Sequence, residues 1–317
     1  MIPTWILAVG IIVLVLGTAY GVRNQLNGLL GSQIDGISGK PKIWWHVDDS
    51  QSNVKEWMSF EDRATRVPTE PYLALCLKKA RARWSSEFDV VPVIGREAAL
   101  ARLREAGCVI PEGADRCPPA LWMAWCRCAF VAHLGGLWLD GSVLPLGSGY
   151  ELKQRLPSGV LTFGSDADEE LASTEKEGSG SAAAGRSAGW AQSPGHPMWT
   201  GLTRDIGAVI QQGDGSWSSF EARRALRFLW DKHCSGVTRV DRVAEVSRDK
   251  YGKRLDYEDL FAKTEWVNGS TKGGLWVPLP DGRDKLERTS AWLWFTRMSE
   301  KQIGESEFVW ARLATRA

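Results

Sequence analysis

Neither sign of charge dominates this chain of 317 residues, in which 39 lysines and arginines stand against 38 aspartates and glutamates. Such a balance gives no overall field that would hold a polyanion by counterion release, so nucleic acid is excluded as an expected partner. Paired CxxC clusters are also missing. Cys76, Cys108, Cys117, Cys126, Cys128 and Cys234 are irregularly spaced, which argues against a zinc site and leaves them as mainly buried thiols. There is no internal repeat, and His46 and His196 lack the partner spacing that would build a catalytic triad or a zinc centre.

Charge is absent locally as well, because no side chain from Ile2 to Val22 carries any. About 20 helical residues at roughly 1.5 Å each cross the roughly 30 Å hydrocarbon core of a bilayer. Residues 1–23 are therefore expected to be a transmembrane anchor, followed by a Gly/Ser-containing spacer over 24–40. The competing reading is a signal peptide cleaved after Gly17-Thr18-Ala19, against which stand the length of the apolar run and the lack of Lys or Arg before it. The nearby basic residues, Arg23, Lys40 and Lys42, all follow the span, which by the positive-inside rule leaves the body in the cytosol. A type II protein of the secretory pathway needs the opposite orientation, and Asn268-Gly269-Ser270 is then a usable glycosylation sequon. Both orientations stay open.

The remainder, 41–317, has 44% hydrophobic and 24% charged residues to draw on across the chain, enough for one substantial core. Lys42 to Val47, KIWWHV, is aromatic and β-branched and predicts a buried strand. Thr69 is a candidate cap, with Pro71 in the first turn, for an amphipathic helix from Tyr72 to Trp84. Phe88 to Ile94 reads as a second strand, and Arg96 to Ala106 as a helix closed by Gly107. Pro118 to Leu134 predicts an apolar helix stopped by Gly135-Gly136, with Leu137 to Leu146 returning to the sheet. Alternation of this kind implies an α/β fold with helical crossovers. Ser, Gly, Ala and acidic residues then predict a flexible loop around 165–193. Beyond it the chain is helical and Trp-rich, with a helix from Ser219 to Lys232 and an aromatic block from Ser290 to Met298.

The segment Arg127 to Leu144, RCAFVAHLGGLWLDGSVL, resembles one shared by capsular-polysaccharide-synthesis proteins and related mannosyltransferase-like glycosyltransferases. An Arg on a helix, two glycines, an apolar pair and an Asp follow in order, and fall on Arg127, Gly135, Gly136, Trp138 with Leu139, and Asp140. KIWWHV, EPYLALCL (Glu70 to Leu77) and PGHPMW (Pro194 to Trp199) are similar to further elements of that family, so the resemblance spans roughly residues 41 to 210. The stretch Leu275 to Ser299 is similar to C-terminal regions of related proteins of large DNA viruses, which points to a viral source and so sets a virion beside the secretory-pathway membrane as an expected location.

The resemblance implies a GT-A-like, Rossmann-type mixed sheet flanked by helices, and transfer of a sugar from a nucleotide-diphosphate donor to a glycan or glycoconjugate acceptor. The family's DxD carboxylates hold a divalent cation, Mn or Mg, that neutralises the diphosphate as it leaves. Asp140 is the candidate metal ligand, and Trp45, Asp48, Arg127 and Asp140 are the candidate donor-binding residues. No catalytic base is assigned. Two departures stand out: Asp140-Gly141-Ser142 offers a hydroxyl where the family's pair has its second carboxylate, and Ala124 stands where the family usually has Asp. Literal acidic pairs occur at Asp48-Asp49 and at Asp166-Ala167-Asp168.

Each of these residues has a plainer reading. An Asp at a strand end caps a turn, Arg127 pairs with Asp140 as a structural salt bridge, and tryptophans fill a core. The departures motivate the rival function, a catalytically degenerate GT-A-like body serving as a membrane-tethered structural or interaction protein.

Overall fold

Within the computed structural model, the described residues are 39–48, 70–163, 188–213, 219–234, 239–241, 246, 255–263, 274–279, 286 and 291–315. The expected anchor at 1–23, most of the spacer, Asp49, Asp166 to Asp168 and the sequon at Asn268 lie outside them. Among the described residues no helix is long and apolar enough to cross a membrane.

The first strand, β1 (Lys42–Val47), is central because its residues are apolar on both faces. It pairs in parallel with β2 (Asp89–Ile94) on one side and β3 (Gly136–Asp140) on the other. Beyond β3 come β6 (Ala188–Ala191), antiparallel to it, then β5 (Val160–Phe163) and β7 (Arg239–Asp241). The result is a mixed six-stranded sheet in the order β2-β1-β3-β6-β5-β7. A separate two-stranded ladder joins β4 (Leu144–Pro145) to β8 (Trp276–Val277).

Helix α1 (Pro71–Trp84) crosses from β1 to β2 and buries Tyr72, Cys76, Leu77, Ala80 and Trp84, a spacing of three and four that marks one face. Glu70 rather than Thr69 occupies its cap position, and it makes no side-chain cap bond; Pro71 alone pre-sets the first turn. Helices α2 (Arg96–Glu105) and α3 (Pro119–Leu134) lie on the opposite face. Helix α3 is apolar nearly all round because the sheet, α5 (Pro197–Gln212) and α6 (Ser219–Cys234) enclose it. Trp44, Trp122, Trp125, Trp138 and Trp199 are fully buried in this layer, and each such side chain contributes about 2 kcal/mol or more by burial. Five of the cysteines are buried free thiols.

The other layer is closed by short helices: α4 (Gly149–Arg155), α7 (Tyr257–Phe261), α8 (Leu293–Thr296), α9 (Glu300–Gly304) and α10 (Val309–Thr315). Their aromatic residues dock on the start of α1, with Tyr72 5.2 Å from the Phe295 ring and 6.3 Å from that of Trp310.

Two sequence expectations are corrected. The loop expected around 165–193 does not extend to its stated end, because residues 188–191 form β6 between β3 and β5 with all four side chains buried. Alanine and glycine suggested disorder by composition, yet here they admit a large neighbour: a Cβ on Gly189 would stand 2.7 Å from Trp199 Cη2. The single strand expected from Leu137 to Leu146 is broken, with β3 ending at Asp140 and Leu144 pairing in the second ladder.

Candidate functional site

Strand order fixes where a site belongs. From β1 the chain moves out to β2, then returns to place β3 on β1's other flank. The strand order reverses between β1 and β3, and in open α/β sheets ligands bind outside the carboxyl ends of the strands at such a point. Asp48 follows the last residue of β1, and Asp140 is the last residue of β3. His46 and Asp140 are register partners, so the two acidic positions stand at one edge of the sheet.

The glycines that lead into β3 are structural. Gly135 and Gly136 have φ of +65° and +83°, and a Cβ on Gly136 would stand 2.6 Å from the Lys42 carbonyl oxygen. Trp44 Nε1 donates to the Gly135 carbonyl at 2.7 Å, fixing the reversal from α3 into β3.

Asp140 shapes the turn that follows it. Its Oδ1 accepts from Ser142 N at 2.8 Å and from Ser142 Oγ at 2.6 Å, and its carbonyl accepts from Val143 N at 3.2 Å. The Gly141 N–H donates to the His46 carbonyl at 2.6 Å, closing the turn onto β1. Trp45 forms the floor beneath: its Cζ2 lies 3.0 Å from where a Gly141 Cβ would be, and the indole is buried. Trp45, a candidate donor-binding residue, is thus packed under the turn rather than presented to solvent.

Asp48 is only 7% exposed and is held by a guanidinium fork, with Arg96 Nε 3.2 Å from Oδ1 and Nη2 3.4 Å from Oδ2. Arg96 was read from sequence only as a helix residue; its position just after β2, behind Gly95, was the available signal that it faces the same edge. Arg96 also lies over the Trp122 ring at 5.0 Å. His46, 0% exposed, sits between these groups, its ring centroid 5.6 Å from Trp138 and 6.5 Å from Trp122.

Arg127 is buried on α3 against two indoles, its Cζ 5.1 Å from the Trp230 centroid and 6.0 Å from that of Trp138. It therefore meets β3 two residues before Asp140. His196 caps α5, its Nδ1 accepting from Met198 N at 3.3 Å, and burial lowers its pKa. Burial also pushes the Cys76 thiol, beside Ser142, well above the ordinary thiol range, and the charge of Asp140 adds to this, so Cys76 is no thiolate nucleophile.

A divalent cation at this edge would need hard oxygen ligands. Ala124 supplies none, Asp48 has both oxygens on Arg96, and Asp140 Oδ1 already accepts two bonds. Among the described residues no three His, Cys, Asp or Glu side chains gather as a metal group. This donor set does not fit a cation held by the protein.

Comparison with family models, with curated proteins and with solved structures gives no match to this chain.

Proposed function

We propose that the chain is a nucleotide-sugar-dependent glycosyltransferase of GT-A type, a member of the capsular-polysaccharide-synthesis and mannosyltransferase-like group. It would be tethered to a membrane by residues 1–23 and would move a sugar from a nucleotide-diphosphate donor to a glycan or glycoconjugate acceptor. The observation that carries the reading is the position of Asp48 and Asp140 at the carboxyl ends of two adjacent parallel strands, at the point where the strand order reverses. There Asp140 accepts hydrogen bonds from ribose or sugar hydroxyls. The Asp48–Arg96 pair forms one wall, while Trp45 and Arg127 support the edge from within the core.

The test is a thermal-shift panel on the full chain with UDP, GDP, CMP and their sugars, in manganese and in EDTA. A rise with one base is expected through linkage, and Asp140→Asn, which keeps an acceptor for Ser142 but replaces the second carboxylate oxygen with a donor, should remove it while still melting cooperatively without nucleotide. Silence across the panel overturns the reading.

One observation favours the second reading, a degenerate body used as a membrane-tethered structural or virion component. Both carboxylates at the edge are already engaged, Asp48 by Arg96 and Asp140 by Ser142. Silence in the panel with a well-folded chain is the outcome this reading expects.

A further inference from the structure

We infer that Ser142 closes Oδ1 of Asp140 to divalent metal and, with both Asp48 oxygens on Arg96, leaves this edge at most one carboxylate oxygen, too few ligands for the protein itself to hold a cation there. The significance of the edge rests on the donor-site reading, but the metal claim does not. Ser142 directs both its backbone N–H and its hydroxyl, at 2.8 and 2.6 Å, onto one oxygen of Asp140. At 4% exposure it has little access to water that could take over those bonds. A cation taking that oxygen would leave a buried N–H and a buried hydroxyl without their acceptor, an unfavourable exchange.

The turn has no room to yield. A Cβ on Gly141 would lie 2.5 Å from Val47 Cγ2 and 2.9 Å from the His46 carbonyl, so the backbone between the two residues is pressed against β1. The neighbouring acid, Asp48, is bound by the Arg96 fork and does not replace the missing ligand. A serine two residues after the strand-end aspartate thus does the opposite of a second carboxylate: it donates to Asp140 instead of joining it on an ion.

The test is a manganese titration of the full chain without nucleotide, following the free-ion signal by electron paramagnetic resonance. The unsubstituted chain is expected to leave the signal intact. Ser142→Asp exchanges the donor for a ligand and should deplete the signal, tightening manganese binding by roughly tenfold or more, since ligand charge sets such affinities. Ser142→Ala removes only the hydroxyl and should give a smaller depletion; it decides the matter if the aspartate variant fails to melt cooperatively. Depletion by the unsubstituted chain, lost in Asp140→Asn, overturns the inference. So does an intact signal with every folded Ser142 variant, because Ser142 would then not be what excludes the ion. With no nucleotide present, a silent nucleotide panel leaves this result standing.

Discussion

Arg96 joins the end of β1 to the chain ahead of α3: its Nε and Nη2 hold Asp48, and its Nη1 donates to the carbonyls of Asp115 and Cys117, both at 3.1 Å. Arg96→Met would take the guanidinium fork from the nearly buried Asp48 and the donor from the part-buried Cys117 carbonyl. The expected loss of stability is about 3 kcal/mol, read from urea unfolding. Arg96→Lys should recover only part of it, because an ammonium lacks the planar fork. Unchanged stability in Arg96→Met would show that the edge is held by something else.

Gly141→Ala tests the packing of the Asp140 turn. The new Cβ meets Val47 and the His46 carbonyl at distances no real Cβ tolerates, so a loss of about 1–3 kcal/mol is expected. Gly159 is the control, since a Cβ there meets nothing within 4 Å. Equal melting temperatures for the two alanine variants would mean that the turn relaxes freely.

Lys79 gives a pH-dependent signature. Burial, then the charge of Arg83, brings its pKa from 10.5 down to about 8. The unfolded chain binds this proton more tightly than the folded one, so stability should rise with pH between about 8 and 10.5. Lys79→Met should flatten that rise in urea midpoints measured across the window. A difference between the two chains that stays constant with pH would contradict it.

Asp205 predicts the opposite limb. Burial alone would raise its pKa, but hydrogen bonds from Arg204, Lys232 and His233 hold it well below the ordinary 3.8. Its contribution is present above that value and is lost as pH falls below it. Asp205→Asn should weaken the attachment of α6 to α5 at neutral pH and make the acid limb shallower. Coincident acid-unfolding curves for the two chains would rule this out.

Much of the first half was legible because local rules and tertiary demands agree there. KIWWHV has the β-branched and aromatic content of a central strand, and the helix from Arg96 ends at Glu105, two residues before Gly107, whose φ is +74°. Legibility failed where a small-residue segment takes its burial from distant neighbours. AGWA is an interior strand paired with β3 and β5, and Trp199, from the following helix, covers Gly189.

At the candidate site the sequence named the strand-end acids but not what holds them. Nothing near Asp48 in the chain reveals that Arg96, 48 positions later, will grip it. That pairing exists only once β2 lies beside β1. Ser142 was visible as a missing carboxylate, whereas its action as a donor required the turn geometry.

Lys79 also bears on how the protein is made. Its ammonium caps the carbonyls of Leu313 and Ala314 at the end of α10, across 234 positions in the case of Leu313. High contact order of this kind delays closure, since loop entropy must be lost before the contact forms. A nascent chain halted before residue 313 carries a helix α1 whose buried lysine has no carbonyls of α10 to meet. The contact between α1 and the end of α10 therefore forms only after residues 313 and 314 have left the ribosome, and until then this part of α1 is open to chaperones or to aggregation.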